Sequence, residues 1–217
     1  TLLTLTALPE LRAEGVHMVF NTPNTKSRPG YLKMGWQDVG TLRPVLRPVR
    51  LRRLLKVLRS RVPADHWPMN VELGRSVEEW LAADGAEVLP VRRSDCGVRT
   101  VIDAAFAEWR FGSALQPCRV LGSGTTFAVV EVRRRGSIVE LVRMASFGPP
   151  RKVDRLLVRA AKQVGADVVI RLGWSAPWRG FFPVPGAGPR LTCLMLADEP
   201  MPALTEWHLF MGDVALF

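Results

Sequence analysis

Three apolar runs rich in β-branched residues follow one another in the middle of this 217-residue sequence. They read CRVLGSG, TTFAVVEVRRR and SIVELVRMASF, and short connections containing glycine and serine separate them. Such connections favour tight reversals, so the runs predict three successive antiparallel strands. An amphipathic pattern, PRKVDRLLVRAAKQVG, and a further β-rich run, ADVVIRLG, come next and predict a helix and a strand. A chain with this order of elements must build helices around a sheet that is largely antiparallel.

The first third of the chain carries its own helix and strand patterns. Leucines at helical spacing in TLLTLTALPELRAEG predict a helix that ends at Gly15. VHMVFN predicts a strand, and the polar residues after it predict a loop with a short helical turn in YLKMGW. WQDVGTLRPVLRPV predicts extended structure that its prolines limit. VRLRRLLKVLRSRV predicts a basic amphipathic helix.

The segment PADHWPMN has two prolines in eight residues and predicts a linker. We therefore expect one domain over residues 1–63 and a second over residues 64–217. Within the second, SVEEWLAADG and VRTVIDAAFAEWRFG predict helices, and LTCLMLA and WHLFMGDVALF predict two final strands. The order helix, strand, loop, strand occurs in residues 2–50 and again in residues 151–197, which indicates a weak internal repeat.

Most of the net charge of +10 lies at the start of the chain. Residues 1–63 contain 12 Lys/Arg and 3 Asp/Glu, whereas the remaining residues contain 18 and 17. This bias fits an anionic cofactor, an acidic substrate or a solvated arginine-rich face. The basic segment 43–61 leaves open an alternative function as a non-catalytic module that binds nucleic acid or another polyanion. Because it lacks interleaved aromatic residues for base stacking, we do not expect nucleic acid as the partner.

Other features limit the class of protein. Charges interrupt every long apolar run, so we expect no membrane span and no membrane partner. Three widely spaced cysteines, Cys96, Cys118 and Cys193, fit neither a disulfide framework nor a zinc site and predict a cytoplasmic protein. The three histidines have no partners at metal-ligand spacing, so we expect no metal. The oligomeric state remains open.

The only tyrosine of the chain, Tyr31, lies in the polar segment NTPNTKSRPGYLKMGW. Six residues of this segment, Asn24, Ser27, Tyr31, Lys33, Gly35 and Trp36, match the spacing N-x-x-[AS]-x-x-x-Y-x-K-x-G-[FW]. The segment resembles the motif of GNAT-type N-acetyltransferases that follows their fifth strand. The resemblance implies an α/β (α+β) fold with a mixed, largely antiparallel sheet flanked by helices. It also implies that the chain holds the C-terminal part of one GNAT domain followed by a second GNAT-like domain.

The same resemblance implies a function and a site. The function is transfer of an acetyl or acyl group from coenzyme A (acetyl-CoA) to an unidentified amine acceptor, which attacks the thioester directly. Tyr31 would be the general acid that protonates the departing thiolate. Asn24 would bind the pantetheine chain, Ser27 would let the cofactor approach closely, and Lys26, with Arg28 and Lys33, would add positive charge near its phosphates. Gly35 and Trp36 are expected to end the helix and to fill a core.

One part of the GNAT pattern is absent. These enzymes bind the cofactor pyrophosphate on an [RQ]-x-x-G-x-[GA] loop before a helix, and no such loop precedes a helix in this sequence. We expect that loop to lie upstream of Thr1, in a part removed by N-terminal truncation, and we expect the Thr1 hydroxyl to reach a phosphate. The second half has no tyrosine and no Asn–Tyr motif, so its domain is expected to lack a cofactor site.

Overall fold

A computed structural model describes residues 2–50, 66–85, 97–113, 115–173, 179–184 and 188–214 of the chain. These residues form two compact units. The first lies within Thr1–Arg43, Asp95–Arg99 and Gly186–His208, and the second lies within Pro44–Ser94, Thr100–Pro185 and Leu209–Phe217. Each unit is therefore discontinuous in sequence. The proposed boundary between residues 63 and 64 falls outside the described residues and stays a prediction.

The elements alternate along the chain. In the first third they are α1 (Leu2–Ala13), β1 (Met18–Asn21), α2 (Arg28–Lys33), β2 (Gln37–Thr41) and β3 (Pro44–Pro48). The middle of the chain forms β4 (His66–Pro68), β5 (Arg75–Ser76), α3 (Val77–Trp80), a π-helical turn (Leu81–Gly85), α4 (Ala104–Phe111), β6 (Arg119–Ser123), β7 (Thr126–Arg135) and β8 (Ile138–Phe147). The last third forms α5 (Pro150–Gln163), β9 (Val168–Leu172), β10 (Phe182–Pro183), β11 (Arg190–Met195), a 3₁₀ turn (Leu204–Glu206) and α6 (Met211–Val214).

The first unit is built on a three-stranded sheet in the order β1–β11–β2. The middle strand, β11, runs antiparallel to both neighbours, and its residues Leu191, Thr192 and Cys193 are fully buried. The side chain of Thr192 also donates a hydrogen bond to Asn21 Oδ1, 2.5 Å away, which ties β11 to the end of β1. The strand predicted from VHMVFN is confirmed, and it ends directly before the loop that carries the tyrosine motif.

The second unit is built on an eight-stranded sheet. Its order is β10–β3–β9–β8–β7–β6–β5, and β4 also pairs with β7. The predicted antiparallel strands in the middle of the chain are β6, β7 and β8, and β8 then pairs in parallel with β9 through the crossover helix α5. The sheet is thus mixed and largely antiparallel, as the sequence indicates.

Both faces of this sheet are covered by apolar side chains. One core contains Trp80, Phe127 and Met144 and receives side chains from α3 and α4. The other contains Leu141, Leu157 and Phe181 and receives the buried face of α5. Alternation along β7 and β8 supplies both cores, because successive side chains of a strand point to opposite faces. This double burial explains why the runs in the sequence are almost continuously apolar.

The second strand expected in the repeat over residues 151–197 is β11, which pairs in the sheet of the first unit, so the internal repeat stays a prediction. A different correspondence exists between the units: α1, β1 and β2 lie in the first, and α5, β9 and β10 lie in the second. Each pair of strands is separated by an antiparallel third strand, β11 in the first sheet and β3 in the second. In the sequence β3 follows β2, and β11 follows β10. The middle strand of each three-strand group therefore follows, in sequence, a strand that belongs to the other unit.

One prediction about an individual element is wrong, and another helix is present but begins later than expected. The segment WHLFMGDVALF was expected to form a last strand, but residues 211–214 form α6. Asp213 accepts a hydrogen bond from the backbone of Phe210 at 2.6 Å, and Gly212 packs so tightly that an added Cβ would lie 2.7 Å from Met144 O. The helix expected from VRTVIDAAFAEWRFG begins only at Ala104, because Asp103 caps its first turn by accepting from the Phe106 N–H.

Some predicted features lie outside the described residues. These are residues 51–62 of the basic helix expected over residues 49–62, most of the basic segment 43–61, and the residues Thr1 and Cys96. Of that basic segment, β3 and its two following residues are described, and β3 tolerates its prolines because they occupy its first and last positions.

Candidate functional site

The motif loop is organised around the side chain of Asn24. Its Oδ1 accepts hydrogen bonds from the backbone N–H groups of Lys26 at 2.9 Å and Ser27 at 2.8 Å. The hydroxyl of Ser27 also donates to the same oxygen at 3.1 Å. This is the Asx-turn geometry that asparagine favours before a helix, and it brings Asn24 and Ser27 together at the start of α2. Within the described residues, the amide nitrogen of Asn24 makes no hydrogen bond.

Tyr31 lies in α2 and is held by a second aromatic ring. Its ring packs edge to face against Trp36, with centroids 5.0 Å apart and an angle of 73° between the planes. Trp36 is only 6% exposed, as expected for a core ring, whereas Tyr31 is half-buried. Gly35 adopts a φ of +90° just after the helix, which residues with a side chain rarely adopt, so its expected role in ending α2 is confirmed. The Tyr31 hydroxyl makes no hydrogen bond within the described part of the chain.

An ion pair connects α2 to the three-stranded sheet. Arg28, at the start of α2, pairs with Asp38 of β2, and Arg190 of β11 reaches the same carboxylate oxygen at 3.5 Å. All three groups are part-buried or at the surface of the first unit. The network fixes the helix that carries Tyr31 relative to β2 and β11. Arg28 therefore has a counter-ion in its own unit, which sets it apart from the exposed Lys26 and Lys33.

The fold is similar to that of known structures. No protein-family model matches the sequence, and no curated protein matches it significantly. A GCN5-related N-acetyltransferase from Anabaena variabilis ATCC 29413 superposes with a TM-score of 0.50 at 10% identity, over 88% of this chain and 49% of that one. The chain has the fold of the GCN5-related N-acetyltransferases. A second GCN5-related N-acetyltransferase, from Kribbella flavida, matches with a TM-score of 0.44 at 13% identity, over 88% of this chain and 46% of that one.

The chain thus spans about half the length of these GNAT structures. The mixed, largely antiparallel sheet flanked by helices agrees with the fold that the motif implies. At 10% identity the likeness to the Anabaena structure establishes the GNAT fold alone, and the roles of individual residues are argued from the geometry of this chain.

The GNAT motif residues are placed together in the first unit. Asn24, Lys26 and Ser27 are exposed in one turn, and Tyr31 follows one helical turn later on α2. Thr1 lies outside the described residues, so its expected contact with a phosphate stays a prediction. The Arg28–Asp38–Arg190 network was not predicted, because no local signal in a sequence links a helix to a strand more than 150 residues away.

A groove lies elsewhere, in the second unit. It has a volume of about 290 Å³, is open to solvent, and is lined by Gly122, Ser123, Thr126, Lys152, Arg155 and Leu156. It contains none of the motif residues. The turn GSGTT at its edge closes the β6–β7 hairpin, which confirms the expectation of a turn at this point.

No group of three His, Cys, Asp or Glu side chains in the described part of the chain is close enough to hold a metal ion. No described helix is long and apolar enough to cross a membrane.

Proposed function

We propose that this chain is part of an acyltransferase that moves an acetyl or acyl group from coenzyme A to an amine. The observation that carries the proposal is the placement of Tyr31. It stands on a short helix directly after β1 of a GNAT-type fold, with a fixed ring and a hydroxyl that has no partner in the described residues. The acceptor amine attacks the thioester carbonyl directly, and Tyr31 protonates the thiolate as it leaves.

The described cysteines support direct attack rather than an acyl-enzyme intermediate. Burial, aided by the charge of Glu131, raises the pKa of the Cys118 thiol to about 12. Burial alone raises the pKa of Cys193 to about 11. Because the thiolate is the reactive form of cysteine, neither residue is suited to accept an acyl group at neutral pH. The amine acceptor is then the natural nucleophile.

The hydrogen bonds of Asn24 define how it would bind the cofactor. Its carbonyl oxygen already accepts from the loop backbone, so its free group is the NH₂ donor. We propose that this donor binds a carbonyl oxygen of pantetheine, while the small Ser27 leaves space beside it. The exposed ammonium of Lys26, and Thr1, would contribute to binding the phosphates. The cytoplasmic location also remains a proposal.

The first experiment measures acetyl-CoA binding and turnover. For the full-length protein we expect saturable binding in calorimetry, and release of the coenzyme A thiol in the presence of an amine from a panel of amino sugars, peptides and small metabolites. Tyr31→Phe keeps the ring that packs on Trp36 but removes the proton donor. We expect kcat to fall on the order of a hundredfold, as is typical for loss of general acid catalysis. The dissociation constant for acetyl-CoA should stay within about twofold, since the hydroxyl acts mainly in the transition state.

Two results would count against the proposal. Absence of acetyl-CoA binding would remove the cofactor, and with it the function. Equal turnover in the wild type and in Tyr31→Phe would remove Tyr31 as the general acid. Tyr31→Leu, which also removes the aromatic contact with Trp36, separates loss of packing from loss of the hydroxyl through its effect on the melting temperature.

A further inference from the structure

Two arginines of the second unit pair with one aspartate, and a third arginine lies near their charges. Arg143 is on β8, Arg171 is on β9, and Arg179 follows in the described residues before β10; we call them the arginine cluster. Asp154 of α5 is 8% exposed, with Arg179 Nη1 3.2 Å from its Oδ2 and Arg171 Nε 3.8 Å from its Oδ1. Arg143 donates instead to the backbone oxygen of Leu172, at 2.7 Å.

The positive charge of the cluster exceeds its negative charge. Among the described residues that pair with it, Asp154 supplies one negative charge against three guanidinium groups. Burial and, to a lesser extent, the neighbouring charge of Arg171 lower the pKa of Arg143 to about 10, against the favourable effect of Asp154. Burial also lowers the pKa of Arg171, against the favourable effect of Asp154. Within the described parts of the chain, two positive charges of the partly desolvated cluster thus have no counter-charge.

The cluster also holds hydrogen-bond donors without acceptors. The Nε atoms of Arg143, Arg171 and Arg179 are all buried, and none has a hydrogen-bond partner within the described part of the chain. Arg171 is only 11% exposed. Buried polar groups in folded proteins are nearly always hydrogen-bonded, so three donors that the described residues leave unsatisfied favour an acceptor supplied by a ligand.

The cluster lies where two parallel strands stop pairing. The parallel ladder between β8 and β9 ends with Val142 opposite Ile170, and Arg143 and Arg171 are the next residues of the two strands. Beyond such a point the two strands no longer form backbone hydrogen bonds with each other. The crevice at the carboxyl ends of parallel strands is a common place for ligands in α/β sheets. The guanidinium of Arg171 is held in place 4.3 Å from the ring centroid of the fully buried Phe181.

We propose that the arginine cluster binds a phosphate group with two negative charges. Guanidinium groups bind phosphate oxygens through paired N–H donors, and a dianion matches the excess of two positive charges. Asp154 orients Arg171 and Arg179 towards the ligand. The phosphate is either inorganic phosphate or the monoester group of a larger ligand. This site belongs to the second unit and does not depend on the function proposed for Tyr31.

Calorimetry on the whole chain tests the site, with inorganic phosphate and phenyl phosphate at constant ionic strength set by chloride. We expect saturable binding. Arg179→Gln should weaken it about tenfold or more, because one charge-assisted pair is lost. Arg159→Gln, on the exposed face of α5, makes the same charge change and should leave the affinity unchanged. Asp154→Asn removes the competing negative charge but keeps an acceptor for Arg179, so it should bind phosphate more tightly.

The outcomes are distinct. Tighter binding of phenyl phosphate than of inorganic phosphate identifies a phosphomonoester ligand, whereas equal binding identifies free phosphate. The proposal is overturned if neither compound binds saturably, or if Arg179→Gln and Arg159→Gln bind equally well. It is also overturned if Asp154→Asn, shown to be folded by its melting curve, binds more weakly than the wild type. Should Asp154→Asn not fold, the comparison of Arg179→Gln with Arg159→Gln decides alone.

Discussion

At the scale of single residues, the side-chain oxygen and the NH₂ group of Asn24 have different functions. The oxygen organises the loop, and the NH₂ group is free to bind a ligand. Asn24→Asp separates the two functions, because a carboxylate keeps the acceptor and loses the donor. We expect the melting temperature to change little, and the dissociation constant for acetyl-CoA to rise about fivefold to tenfold, for the loss of roughly 1 kcal/mol of hydrogen bonding. Asn24→Ala should lower both the stability and the affinity. Unchanged affinity in Asn24→Asp would exclude the proposed donor.

The buried thiols give a second prediction at this scale. With pKa values of about 12 and about 11, Cys118 and Cys193 are ionised at pH 8 to about one part in ten thousand and one part in a thousand. We expect iodoacetamide to label both slowly in the native protein, and rapidly once denaturant is added, as read by peptide mass spectrometry. The raised pKa values also make the free energy of unfolding depend on pH. The contribution of the two thiols is fully present below pH 9.0 and is lost as the pH rises above it, because the thiols of the unfolded chain ionise before those of the folded protein. Rapid native labelling of Cys118 would contradict its burial.

At the scale of elements, α3 depends on its first turn. Ser76 accepts a hydrogen bond from the Glu79 N–H at 3.0 Å, and Glu79 accepts one from the Ser76 N–H at 2.7 Å. This reciprocal capping box orders a four-residue helix whose residues Val77 and Trp80 are buried. We expect Ser76→Ala to lower the free energy of unfolding by about 1 kcal/mol, measured by urea denaturation. Ser137→Ala, in the exposed β7–β8 turn, is the matched control and should have no effect. Equal stabilities of the two variants would show that packing alone forms α3.

The elements that could be predicted from the sequence are those with local causes. The Ser76 cap, the glycine turn between β6 and β7 and the amphipathic α5 all carry short-range signals, and all are present. The motif loop belongs to the same class, since the Asx turn of Asn24 spans only four residues. The prediction for the segment that forms α6 was wrong because its alternating apolar residues are typical of a strand. Its actual form is decided by the close approach of Gly212 to Met144, a contact over 60 residues away.

At the scale of the whole molecule, the sequence could not predict which strands share a sheet. β3 lies only three residues after β2, and neighbouring strands in sequence usually pair, yet β2 pairs with β11 and β3 pairs with β9 and β10. The pairing of β1 and β2 with the distant strand β11 has a physical consequence. Within the described residues, β1 and β2 are joined only through β11. Each of them therefore has no strand other than β11 to pair with its backbone N–H and C=O groups. The three-stranded sheet therefore exists only when residues about 150 positions apart have come together, which raises the entropic cost of forming it.

The last prediction follows from that dependence. Cys193→Pro removes a backbone donor from the middle of β11 and introduces a ring that an interior strand does not tolerate. We expect amide hydrogen exchange, read by mass spectrometry, to show protection lost in β1 and β2 together, although they lie far from residue 193 in sequence. Leu46→Pro is the matched variant, because Leu46 holds the same middle place between β9 and β10. It should expose β9 and β10 first. If β1 keeps its protection in Cys193→Pro, then β1 is stabilised by contacts other than β11. The insertion of β11 between β1 and β2 would then not be what stabilises the first unit.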